Sequence, residues 1–127
     1  MSPRINVTGF DHLVLHCADI EATLSWYTDR LGLAPVRVDE WRRGDAPFPS
    51  VRVDQQTIID LIPGERPGGR LDHFCLVIEP IDFEAVVGTG DFEVLDGPDQ
   101  RFGAQGTGTS LYVRDPDGTT VELRYYA

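Results

Sequence analysis

From Val7 to Cys17 the chain is β-branched and aliphatic with partial polar alternation, which predicts a strand. Its parity puts Phe10, His12, Val14 and His16 on one face, and Asp11, Leu13, Leu15 and Cys17 on the other. The period then changes. Ile20, Leu24, Tyr27 and Leu31 form one helical stripe, opened by Asp19 as N-cap and stopped by Gly32, so a helix is predicted over 19–31. Extended segments over 34–40, 49–53 and 57–62 follow, giving a β-α-β-β-β unit. Pro63 to Gly69 is rich in turn residues and reads as a connector. The order then starts again with a strand over 71–78, a short helix over 81–87 and a strand over 92–95. Strands at 110–114 and 119–126 form a hairpin about Asp115-Pro116-Asp117-Gly118, where Pro second and Gly fourth suit a type I turn. Pro98 to Thr109, Gly-rich and polar, predicts a mobile loop.

The restart carries residues with it. Phe10-Asp11-His12 returns as Leu71-Asp72-His73, at 73 − 12 = 61 positions. Ile58-Ile59-Asp60-Leu61 returns as Thr120-Val121-Glu122-Leu123, at 122 − 60 = 62. A period held at both ends of the unit predicts two copies of one module, about 5–63 and 70–127, within a single domain spanning 1–127. Each copy opens on a strand with a His and closes on a strand with a carboxylate.

Composition narrows the partners. With 41% hydrophobic and 25% charged residues the chain has ordinary globular make-up. A formal charge of −10 repels phosphate, which argues against nucleic acid and anionic membrane. No apolar run is long enough to span a bilayer, and the first residues lack the apolar core of a secretion signal, so a cytoplasmic location is expected. Cys17 and Cys75 then read as free buried thiols.

The repeat also selects candidates for chemistry. His12 and His16 share a face but stand about 13 Å apart along a strand, too far to ligate one metal. His12 is the one matched by His73. Two imidazoles with one or two carboxylates make a mixed N/O site suited to one divalent Mn, Fe, Co, Ni or Zn ion. Glu122 is the firmer carboxylate. Asp60, one methylene shorter, is open to three roles: fourth ligand, catalytic base or solvated group. Neither a nucleophile elbow nor a Cys-x-x-Cys pair occurs. Gly103 to Gly108 has the look of a phosphate loop, but lacks the strand-to-helix junction that such a loop needs.

Taken together, Phe10-Asp11-His12, Leu71-Asp72-His73 and Asp115-Pro116-Asp117-Gly118-Thr119-Thr120-Val121-Glu122-Leu123 resemble the vicinal oxygen chelate superfamily, which includes glyoxalase I, extradiol dioxygenases, fosfomycin-resistance enzymes and bleomycin-binding proteins. The second half is most similar to small bacterial glyoxalase-domain proteins. The resemblance implies an α+β fold of two βαβββ modules forming an open curved mixed sheet around a metal, and a homodimer. It matches His12, His73 and Glu122 to the metal triad and turns the face of Ser110 and Tyr112 inward. Asp60 stands where glyoxalase I enzymes carry a longer Glu or Gln. The implied activity is that of a lyase, isomerase or ring-cleaving dioxygenase on a small molecule that chelates the metal through vicinal oxygens, with Glu122 and Asp60 as catalytic carboxylates. Arg101, Ser110 and Tyr112 are the substrate-binding candidates, Arg101 on a loop expected to act as a lid. The alternative is a metal-free binder of the bleomycin-resistance type, its acidic surface sequestering a cationic small molecule.

Overall fold

A computed structural model of the chain describes residues 4–64, 69–116 and 118–127. Eight strands form one open mixed sheet: β1 (Val7–Cys17), β2 (Ala34–Val36), β3 (Ser50–Arg52), β4 (Ile58–Pro63), β5 (Leu71–Ile78), β6 (Glu93–Gly103), β7 (Gly106–Arg114) and β8 (Thr120–Tyr125). Their order is β2-β3-β4-β1-β5-β8-β7-β6. Read outward from the centre, the sequence β1-β4-β3-β2 is answered by β5-β8-β7-β6. Strands β1 and β4 are parallel, as are β5 and β8, and the antiparallel β1–β5 pair joins the halves. The predicted α+β class and the doubled topology are therefore present.

Helices cover the sheet over two apolar clusters. In the first half α1 (Ile20–Ser25) runs into a π-helical segment, Trp26–Arg30, so the 19–31 stripe is helical but not uniformly α. Asp19 accepts from the Ala22 N–H at 3.0 Å, as its N-cap position requires. Ile20 and Leu24 bury against Cys17, Val51 and Leu61. In the second half α3 (Phe83–Thr89) is capped by Asp82 and closed by Gly90 in the left-handed conformation. Its Phe83 and Val86 pack on Ile78, Leu111, Val113 and Leu123. Cys17 and Cys75 are buried and free.

Two expectations are corrected. The predicted strand over 34–40 is strand only to Val36, after which Arg37 turns left-handed and α2 (Val38–Arg43) begins. Val38 and Trp41 lie three residues apart and pack on the first cluster, while Asp39 and Glu40 start the helix and Arg42 and Arg43 end it. The mobile loop expected over 98–109 is a long antiparallel hairpin, paired from Glu93↔Arg114 to Gly103↔Gly106. Its exposed positions are polar because the strand lies at the sheet edge, and Gln100 donates to Thr109 across the ladder at 2.8 Å. There is no lid of the kind expected. Across the predicted turn the Gly118 N–H donates to the Asp115 carbonyl at 3.0 Å. Asp117 and residues 65–68 of the predicted connector lie outside the described residues.

The sheet curls on itself. Strands β3 and β7 stand far apart in the order, yet Arg52 of β3 donates to the Ala104 carbonyl at the β6–β7 turn at 2.9 Å. Arg37, before α2, lies 3.7 Å from the Phe102 ring centre on β6. The cavity between them is the candidate site.

Candidate metal centre

His12 and His73 enter from the two central strands, where His12 pairs with Cys75 and Val14 with His73. Strict alternation would send Asp11 to the face opposite His12. Register shifts change this, because Asp11 and Asp72 are among the residues skipped in the β1–β5 pairing. Each Asp can then turn back onto the His beside it. Asp11 Oδ1 lies 2.7 Å from His12 Nδ1, and Asp72 Oδ2 lies 2.6 Å from His73 Nδ1. A proton shared at each Nδ1 leaves both Nε2 atoms facing the same point.

Glu122 supplies that point. Its Oε1 lies 3.1 Å from His12 Nε2 and 2.9 Å from His73 Nε2. The three ligand atoms all fall within 4.8 Å of one another. Behind the carboxylate, Oε2 accepts from Ser110 Oγ at 2.7 Å and from Arg124 Nη2 at 2.7 Å. Burial alone would raise the Glu122 pKa, but the two imidazoles and Arg124 outweigh it and hold the group ionised well below the ordinary range. Burial alone would lower the His12 pKa; its bonds to Asp11, Cys75 and Glu122 push it up to about 12. The donor set fits a divalent ion. Two imidazoles and a carboxylate converge, and each imidazole is oriented by a further carboxylate.

Asp60 is near but shorter. Its Oδ2 stops 3.7 Å from His12 Nε2, and its Oδ1 takes the Ser50 hydroxyl at 2.5 Å. Burial raises its pKa, against the nearby His12 charge. The cavity has a volume of about 330 Å³, and its walls include Asp60, the three candidate ligands, Arg101 and Tyr112. The Tyr112 ring stands edge-on to His73, centroids 5.4 Å apart. Arg101 reaches the wall from β6, held by Asp99 at 3.0 Å and Asp96 at 3.3 Å. Ser110 is fully buried behind Glu122 rather than on the wall.

The chain also has recognisable relatives. Residues 9–123 match the family model described as Glyoxalase/Bleomycin resistance protein/Dioxygenase superfamily. This chain belongs to that superfamily. Within it, the glyoxalase domain-containing protein RDO1 of Mycosarcoma maydis is 32% identical over 97% of this chain and 71% of its own length. Virulence protein STM3117 of Salmonella typhimurium is 30% identical over 98% of this chain and 89% of its own. Among solved structures, a Mn(II)-bound glyoxalase from Novosphingobium aromaticivorans shares the fold at a TM-score of 0.70 and 19% identity, covering 96% of this chain and 40% of that one.

Several site residues of this superfamily member were not singled out from sequence. Asp11 and Asp72 were in the repeated motif itself, and their adjacency to each His was the signal. Ser50 was missed although it repeats as Ser110, at 110 − 50 = 60, each donating to the carboxylate on the next strand. His16, set aside by the repeat, bonds Asp72 Oδ1 at 2.8 Å and so supports the carboxylate that orients His73. Arg37 and Arg124 had no local signal.

Proposed function

We propose that the chain is a divalent-metal-dependent enzyme acting on a small molecule that offers vicinal oxygens, with His12, His73 and Glu122 as ligands. The observation that carries this is the convergence of His12 Nε2, His73 Nε2 and Glu122 Oε1, with both imidazoles backed by carboxylates. The Mn(II)-bound state of one fold relative supports it. A divalent ion held by these residues would supply Lewis-acid stabilisation of developing oxyanion character. Asp60 holds its carboxylate at the cavity wall, pinned by Ser50, where it can take or return a proton beside those oxygens. That placement suits lyase or isomerase chemistry, in which a proton moves. Tyr112 and Arg101 bound the substrate, and Ser110 and Arg124 fix Glu122. Exposed apolar side chains such as Val7, Trp26, Leu31 and Leu71 support a homodimer, to be tested by light scattering. No described helix is long and apolar enough to cross a membrane.

The deciding experiment is metal titration of metal-free protein by calorimetry, with Mn(II) and Zn(II). About one ion should bind per chain, with His12→Ala weakening it strongly. Absence of binding would leave the metal-free binder as the better reading.

A further inference from the structure

Two arginines reach the cavity, and they differ in what they already hold. Arg101 is engaged by Asp96 and Asp99. Arg37 is not engaged: its Nε and Nη2 are shut from solvent and have no hydrogen-bond acceptor among the described residues. A guanidinium is costly to bury with its donors unmet, so each such nitrogen calls for an explanation. The group packs against two aromatic rings. Its Cζ lies 3.7 Å from the Phe102 ring centre and 4.7 Å from that of Phe48, and the rings stand 6.5 Å apart at 67° to one another. The rings therefore do not sandwich it, and its Nε–Nη2 edge, of the kind that binds a planar oxyanion in bidentate fashion, has no protein acceptor among the described residues. The backbone is constrained as well, since Arg37 is the one non-glycine with positive φ among the described residues, at 58°. An L side chain there carries strain that surrounding structure has to maintain.

Asp60 does not fill the role. It feels the Arg37 charge through space, but no Arg37 nitrogen reaches it within ion-pair or hydrogen-bond range, and its Oδ1 is taken by Ser50. Burial lowers the Arg37 pKa, as expected for a cation waiting for a counter-charge.

We propose that Arg37 is the specificity determinant of the cavity, binding a carboxylate of the substrate on its N–H edge while Phe48 and Phe102 pack against the cation. The substrate would then be an acid with a carboxylate separate from its chelating oxygens, an inference that rests on the metal-dependent reading above.

Two probe pairs test it by calorimetry. On metal-free protein, benzoate should bind about tenfold or more tightly than neutral benzamide, the range of charge-assisted hydrogen bonds. Arg37→Met should abolish that preference, and Arg42→Met, an exposed arginine paired with Glu21, should leave it. On Mn(II)-loaded protein, 3,4-dihydroxybenzoate should exceed catechol by a similar factor in wild type and match it in Arg37→Met, with Mn(II) affinity unchanged. If Arg37→Met does not fold, Arg37→Lys carries the test, since it keeps the charge without the planar fork and should lose most of the preference. Equal binding of the charged and neutral probes, or a preference that survives Arg37→Met, overturns the proposal. Catechol failing to bind Mn(II)-loaded protein, with the Arg37-dependent benzoate preference intact, would sink the metal reading and leave the anion site standing.

Discussion

Asp60 and Glu122 occupy equivalent places in the two halves, on strands parallel to the His-bearing ones. Each accepts from a serine on the adjoining strand, and each has an arginine nearby. One methylene separates them. Glu122 reaches both imidazoles at 2.9 and 3.1 Å, while Asp60 stops at 3.7 Å from one. Their arginines diverge as well. Arg124 is fully buried and donates to Glu122 at 2.7 Å, whereas Arg37 stacks on aromatic rings and leaves Asp60 alone. A duplicated frame thus supplies two carboxylate positions, and side-chain length decides which one reaches both imidazoles and which stops short of them.

The largest effect should come from Glu122. Glu122→Ala should reduce metal affinity beyond the about 10–100-fold typical of losing an outer partner, measured by calorimetry. It should also destabilise the fold by about 3–5 kcal/mol in denaturant unfolding, because Arg124 would be left buried and unpaired. Asp60→Ala should do neither to that extent, and equal losses would dissolve the comparison. Next in size is Asp11→Asn, expected to weaken metal binding by about 10–100-fold through a loosened His12. Asp72→Asn should cost less, since Asp72 is partly exposed while Asp11 is fully buried and also accepts from Ala104 and Tyr126. Asp60→Glu restores the missing methylene and should tighten metal binding by about tenfold as a fourth ligand comes into range. Asp60→Asn, by contrast, should leave metal affinity within about threefold while abolishing turnover on any substrate found, as fits a base rather than a ligand. The smallest effect belongs to His16→Ala, whose contact with Asp72 is two bonds removed from the metal point. A loss under about threefold is expected.

The doubled frame and the convergence of His12, His73 and Glu122 were legible because Asp-His and the closing carboxylate both recur at one period, which survives any error in strand boundaries. The bulges were not legible. Nothing local in Gly9-Phe10-Asp11-His12 says that Asp11 is skipped in the ladder, so parity assigned it to the wrong face. Helix α2 was hidden because only Val38 and Trp41 mark its buried side and its left-handed entry uses Arg rather than Gly. The stretch over 98–109 reads as a loop because its Gly-rich, polar sequence shows no apolar period. Gly103 illustrates the limit most plainly. A Cβ there would sit 1.9 Å from Arg124 Nη1, so the glycine is needed by a side chain 21 positions away, a dependence no local window contains.

The seam between β1 and β5 has a kinetic consequence. It pairs residues about sixty positions apart, and such contacts form late because the intervening chain must first be ordered. His12 stands on one side of the seam and His73 on the other, so a half-assembled molecule holds at most one imidazole at the metal point. Uptake of an ion would therefore report that the two halves have joined, and chelation during refolding should leave the rate of assembly unchanged while removing its final stabilisation.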